Sequence, residues 1–263
     1  MSDLKQTYAQ PQIHTEWESI YRTQTAAKFN NDVTNWLLAM FRPNPGSVFL
    51  DAGCGFGHHT RRICEAGFSC VGVDISEVAL DIARSRTKRH RASFFCGALE
   101  SLSLPNESFD YVHCRGVLMH VPRMKDSIRE LVRVIKPGGK IVIMDNHSHC
   151  LETLFIRTIR KFRVGKSRMV KNETGIEFWS TENGEPFLVR YPHIEYIRSC
   201  LNGFGVQVNS VSSYELFDLG RFPKSFLTIV SAANRAAFSL KVPLFLSHGI
   251  VILGTKVRTV VDC

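Results

Sequence analysis

The segment Val48-Phe49-Leu50-Asp51-Ala52-Gly53-Cys54-Gly55-Phe56-Gly57 constrains this chain most: a short apolar strand runs into an acid and then into three glycines at alternating positions. Glycines at 53, 55 and 57 allow positive φ and let a ligand lie against bare main chain, so the turn suits a nucleotide. A dinucleotide fingerprint reads GxGxxG or GxGxxA. The last position of that frame here is His58, too bulky for the close strand and helix packing the frame needs. Asp51 argues the same way, since a carboxylate at the mouth of the turn repels a pyrophosphate and suits a cationic ligand. Asp74 closes Val71-Gly72-Val73-Asp74, 21 residues after Gly53, at the end of a second strand and within reach of a ribose diol.

Strands and helices alternate around this turn. Strands are expected near 47–51, 69–74, 92–96, 109–114 and 140–145, with helices near 58–66, 76–87 and 124–136. Such alternation implies right-handed crossovers and a parallel sheet covered on both faces, with ligands beyond the carboxyl ends of the strands. Before the turn, the capping-box spacing of Thr15-Glu16-Trp17-Glu18 and the helical recurrence of Val33, Trp36, Leu37 and Met40 predict one or two helices over 15–41, stopped by Pro43, Pro45 and Gly46. After residue 146, Leu151, Phe155, Ile159 and Phe162 make a helical apolar stripe on a basic segment, and 175–192 reads as an irregular hairpin. A helix over 193–201, a strand over 206–211, mostly helix over 222–240 and a last strand over 250–257 complete the chain.

Acid, glycine turn and second acid together resemble motif I and the acidic loop of the class I S-adenosylmethionine-dependent methyltransferases. Phe109-Asp110-Tyr111-Val112 is similar to that family's fourth strand, and Val117-Leu118-Met119-His120-Val121-Pro122 to the segment after it. The run from Leu131 to Ile143, with Lys136-Pro137-Gly138-Gly139 at its centre, is similar to the helix, turn and fifth strand. The likeness covers roughly residues 45–146. It implies a Rossmann-like, doubly wound seven-stranded α/β sheet, mostly parallel with an antiparallel last strand, plus a helical or hairpin insertion over the active site. One domain is expected, divided into an N-terminal helical lid (1–44), a cofactor-binding core (45–146), a substrate-pocket insertion (147–192) and a C-terminal helix and strand pair with a helical insert (193–263).

The resemblance also implies site roles. Asp51 and Gly53 would line the methionine end of S-adenosylmethionine, Cys54 would join the cofactor-binding loop, Gly55 and Gly57 would approach the sugar, Asp74 would accept the ribose hydroxyls, and Ile75 would pack on the adenine. An acid that follows the third strand in many relatives is replaced here by Ala98, leaving backbone groups of Ala98 and Leu99 to hold the ring edge. Arg115, after the fourth strand, is placed to offer backbone to the cofactor or its guanidinium to a carboxylate. His120 is the candidate general base, because an imidazole titrates near neutrality and this one lies at the ligand edge. Trp17 and Tyr21 are candidate lid residues. A zinc cluster of His147, His149 and Cys150 is considered and set aside, since three ligands so close in sequence rarely converge on one ion, so no metal is expected.

The acceptor side is less defined. Phe155, Phe162, Phe178, Trp179, Phe187 and Tyr191 make the insertion aromatic, which suits a small apolar or aromatic acceptor methylated on oxygen or nitrogen. The net charge of +9 is concentrated in two runs, and the one from Arg157 to Lys171 contains no acid. That run, within 151–171, would serve an anionic substrate, an anionic membrane surface or RNA. No RNA-recognition module is visible and no DNA partner is expected, so a small molecule is the first reading. RNA, protein or a membrane lipid as acceptor, or a cofactor-binding partner protein without catalysis, is the alternative. Eight cysteines without a CxxC pair, the lack of a signal-like N-terminus and the absence of an apolar run near the ~20 residues of a spanning helix lead to a cytoplasmic expectation.

Overall fold

The computed structural model describes residues 7, 10, 24–154, 167–182 and 185–258. The expectations for Trp17, Tyr21, Phe155, Ile159, Phe162 and the basic residues from Arg157 to Lys166 lie outside the described residues. The chain runs α1 (Gln24–Phe41), β1 (Val48–Ala52), α2 (His58–Glu65), β2 (Ser69–Asp74), α3 (Glu77–Arg86), β3 (Ala92–Cys96), β4 (Phe109–Arg115), α4 (Met124–Val134) and β5 (Ile135–Asn146). It continues through β6 (Ser167–Asn172), β7 (Gly175–Glu182), β8 (Glu185–Pro192), α5 (Ile194–Gly203), β9 (Val206–Glu215), α6 (Leu227–Leu240) and β10 (Gly249–Lys256). A short 3-10 turn, Leu118–His120, lies between β4 and α4.

Seven strands form one sheet in the order β3-β2-β1-β4-β5-β10-β9. Strands β1 to β5 pair in parallel, while β10 pairs antiparallel to β5 and to β9. Alternate residues of each central strand feed opposite faces. Leu50, Val112, Ile141 and Ile143 pack with Ile128, Leu131 and Ile197 of α4 and α5. Phe49, Tyr111, Val142 and Met144 pack with Phe29, Val33 and Leu37 of α1, Ile63 of α2 and Val230 of α6. Helix α4 stops at Val134, two residues earlier than the periodicity predicts. Pro137 has no N–H to continue the helix and its ring clashes with the preceding turn, and Ile135 is already extended at φ −77°, ψ 138°.

The insertion differs in part from its expectation. Residues 175–192 form the expected hairpin, but a regular one, β7 and β8 pairing antiparallel from Gly175↔Pro192 to Glu182↔Glu185, and β6 adds a third strand to it. Of the expected helical stripe, Leu151 lies in a helical turn over 151–154, while the basic residues Arg168 and Lys171 lie on strand β6. Both are exposed on this edge strand, where charge discourages pairing with another chain. The Thr7 hydroxyl donates to the Pro186 carbonyl at 2.8 Å, which ties the early chain to β8. No helix among the described residues is long and apolar enough to cross a membrane.

Candidate functional site

The loop after β1 is closed by backbone: Gly53 N–H and Cys54 N–H both donate to the Val73 carbonyl, at 2.7 and 2.9 Å. Gly53, Gly55 and Gly57 have φ of 76°, 50° and 73°, a region that favours glycine. Their surroundings separate them. A Cβ on Gly53 would stand 2.2 Å from Val117, and one on Gly57 2.9 Å from Ala83, so these two serve packing. A Cβ on Gly55 would meet nothing within 4 Å, and the same is true of Gly97 after β3 and Gly116 after β4. The bare main chain expected of all three loop glycines is thus found at Gly55, with Gly97 and Gly116 extending it along the carboxyl edge of the sheet.

Asp74 braces this loop. Its Oδ2 accepts from Gly55 N–H at 2.8 Å and its Oδ1 from Ser76 N–H at 3.0 Å, while Ser76 caps α3. Ile75 packs against Phe187 and Leu188 of β8, so the insertion sheet reaches the end of β2. Ala98 and Leu99 are buried just beyond β3. Cys54 is buried too, and its thiol is pushed well up by burial, then by Asp51 and Asp74, so it stays protonated.

Asp51, expected as the carboxylate at the mouth of the turn, is engaged within the protein. It is buried, and both oxygens have protein partners: His113 Nδ1 donates to Oδ1 at 2.9 Å and the Thr60 hydroxyl to Oδ2 at 2.6 Å. His113 stands beside Asp51 in the parallel β1–β4 register. A second imidazole, His59, lies 4.9 Å from the His113 ring. Arg115 can only donate to His59 Nε2, at 3.2 Å, so His59 Nδ1 carries the proton and donates to Thr34 Oγ1 at 2.8 Å. The Thr34 hydroxyl in turn donates a hydrogen bond to the Asn30 carbonyl at 3.0 Å. Burial first, then Arg115, holds His59 well below the usual imidazole range. The Arg115 guanidinium also lies over the Tyr214 ring at 5.2 Å. His59, His113, Thr60, Thr34 and Tyr214 were not legible as a group in the sequence. The signal available was the β1–β4 alignment that sets His113 beside Asp51.

His120 ends the 3-10 turn, half-buried against the Phe187 ring at 5.5 Å. Its Nδ1 is 2.9 Å from the Leu188 carbonyl. A carbonyl only accepts, so Nδ1 carries the proton and Nε2 holds the lone pair. Burial pushes His120 down to about 4, opposed by the Leu188 bond and reinforced by Arg190. Asp145, at the end of β5, accepts from Met119 N–H at 3.1 Å and Asn146 N–H at 2.9 Å, and burial raises its carboxyl to about 7. His147, His149 and Cys150 bond to Ser247, Ser148 and Thr153 respectively, three separate partners.

The comparisons with known proteins agree with this geometry. Residues 50–143 match the family described as "Methyltransferase domain". Malonyl-[acyl-carrier protein] O-methyltransferase of Serratia marcescens is 34% identical over 117 residues, 44% of this chain and 45% of that protein. Demethylmenaquinone methyltransferase of Tropheryma whipplei (strain Twist) is 28% identical over 169 residues, 62% of this chain and 70% of that one. The chain thus aligns with about half to two thirds of these relatives' lengths. The fold is similar to that of magnesium protoporphyrin IX methyltransferase from Synechocystis PCC 6803, crystallised with bound SAH, at a TM-score of 0.64 and 15% identity over 95% of this chain and 97% of that one. The braced glycine loop and the acid that ends β2 both lie within the stretch that matches the methyltransferase domain, so over residues 50–143 the chain is similar to a methyltransferase domain.

Proposed function

We propose that this protein transfers a methyl group from S-adenosylmethionine to an oxygen or nitrogen of a small apolar or aromatic molecule. The observation that carries the reading is the open backbone of Gly55, Gly97 and Gly116, where a Cβ would meet nothing within 4 Å, together with the Asp74 carboxylate bonded to Gly55 N–H. When bound, S-adenosylmethionine supplies an electrophilic methyl on a sulfonium whose charge is lost on transfer, so the protein must aim the acceptor, exclude water and take a proton. In this reading Asp51 and Gly53 line the methionine end, with Asp51 acting through its negative charge, and Cys54 joins the cofactor-binding loop. Gly55 and Gly57 approach the sugar. Asp74 uses its remaining lone pairs for the ribose hydroxyls, Ile75 packs on the adenine, Ala98 and Leu99 hold its edge, and Arg115 faces a carboxylate.

His120 takes the acceptor's proton on Nε2. An imidazole held down to about 4 is neutral at pH 7 but weakly basic, so the proton leaves as the new bond forms, not beforehand. Phe187, tilted against it, supplies an aromatic wall. Demethylmenaquinone and magnesium protoporphyrin IX, named for two relatives, are both ring systems that such a wall suits. The subdivision that goes with this reading is a lid (1–44), a core (45–146), a pocket insertion (147–192) and a C-terminal unit (193–263). The seven described cysteines are all free, which suits a reducing, cytoplasmic setting.

Calorimetry with S-adenosylhomocysteine and with NADH tests the cofactor assignment: the first should bind and the second should not, and the reverse sinks it. Methyl-labelled cofactor offered with hydroxyquinones, phenols and anilines should then label one of these classes. Label that goes instead into RNA or protein, with affinity for RNA falling steeply in salt, would replace the small acceptor with a macromolecular one.

A further inference from the structure

Arg190, on β8, is 1% exposed, and leads the large, fully buried side chains among the described residues. A cation there is strongly unfavourable unless its donors are satisfied, and all five are. Nε and Nη2 donate to Glu177 Oε1 at 3.0 and 2.8 Å. Nη1 donates to the carbonyls of Val121 and Leu118 at 2.6 and 3.4 Å, and Nη2 to that of Pro122 at 3.1 Å. The three carbonyls belong to the segment that carries His120. Two residues earlier on the same strand, the Leu188 carbonyl accepts from His120 itself. Glu177 is in turn fixed by Trp179, whose Nε1 donates to Oε2 at 3.0 Å. One strand of the insertion sheet therefore grips both the His120 ring and the backbone on either side of it.

We propose that Arg190 is a positioning residue: its guanidinium locks the Leu118–Pro122 segment to β8, so that the seating of the β6–β8 sheet and the aim of His120 toward the acceptor are set together. The catalytic half of this inference rests on His120 acting at the acceptor, as proposed above; the positioning half is read without any acceptor. Lysine is no substitute, because an ammonium has three donors and no planar fork with which to reach Glu177 and three carbonyls at once.

The test is imidazole NMR on the full chain, with the His120 signal assigned by its loss in His120→Asn. In the wild-type protein His120 stays neutral down to about pH 4. In Arg190→Lys, which keeps the charge, its midpoint should rise by about one pH unit or more as the loosened turn admits water, and the Nδ1 proton should exchange faster. S-adenosylhomocysteine affinity should change by less than about twofold, and with an acceptor in hand kcat should fall on the order of tenfold or more while KM moves less. Where Arg190→Lys does not fold, Glu177→Gln keeps the guanidinium and loosens its fork, and should move His120 the same way by less. A folded Arg190→Lys or Glu177→Gln with unchanged His120 titration and exchange overturns the proposal. Failure of both wild type and variant to bind S-adenosylhomocysteine overturns the functional reading instead, and the titration still decides the positioning role.

Discussion

The loop between β1 and α2 and the contact between β8 and the His120 turn lie on the same edge of the sheet, yet they are held by different means. The loop is held by backbone. Two of its glycines make room for Val117 and Ala83, the Asp74 carboxylate accepts the Gly55 amide, and the Val73 carbonyl accepts those of Gly53 and Cys54. The acceptor side is held by buried polar side chains that join residues about seventy positions apart, Arg190 to Leu118 and Val121 and His120 to Leu188. Backbone shape is written in a few adjacent residues. A buried cation and its four acceptors exist only once the whole chain is folded.

If that contrast holds, removing one partner of the buried pair has the largest effect. Arg190→Met with Glu177 retained should lose about 3–5 kcal/mol in urea unfolding, and the double change Arg190→Met/Glu177→Leu should recover much of it; no recovery would mean the pair is not the anchor. Next comes pH. Asp145 titrates at about 7 in the folded protein against an ordinary 3.8. Between those values the native state keeps a proton that the unfolded chain has lost, so this group's contribution falls as pH rises from about 4 to 7. At ~1.4 kcal/mol per unit, the stability of Asp145→Asn relative to wild type should climb by up to ~4 kcal/mol over that range, and a flat difference would remove the buried-acid assignment. His120 and His147, both pushed down to about 4, run the other way: the unfolded chain takes up their protons first, so wild-type stability drops as pH falls from about 6.5 to 4, and His147→Asn should lessen that drop.

The loop glycines sharpen the comparison at lower cost. Gly53→Ala forces a Cβ against Val117 at positive φ and should destabilise by about 2–3 kcal/mol. Gly55→Ala should cost about 1 kcal/mol, being strained but unobstructed, while weakening S-adenosylhomocysteine on the order of tenfold by calorimetry. Equal binding losses at the two positions would mean that the obstruction by Val117 does not separate their parts in holding the cofactor.

The same contrast explains what could be read from sequence. The five parallel strands, the crossover helices, the glycine turn and Asp74 were legible because each is announced by local periodicity or by glycine itself. The insertion sheet was legible only in part: the hairpin over 175–192 was expected, but its regularity and its third strand β6 were not, since residues 175–178 are buried throughout and lack the polar alternation of a half-exposed hairpin, and Arg190 reads as an ordinary strand charge. Asp51 was legible as the acid at the mouth of the turn, but its partner His113 is 62 residues away and known only through register. The Asp51 carboxylate therefore looked open in sequence and is engaged in the structure. His120 was legible by its place after β4; the strand that holds it was not.

Strand β10 fills the slot between β5 and β9, hydrogen-bonded to each along its length. During synthesis both neighbours emerge long before it, so their inner edges stay bare until residue 256 has left the ribosome, and they invite pairing with other chains in the meantime. A stop before Gly249 would therefore leave an aggregating fragment, however complete its glycine loop, and a chaperone that shields β5 and β9 would find its substrate in the nascent chain.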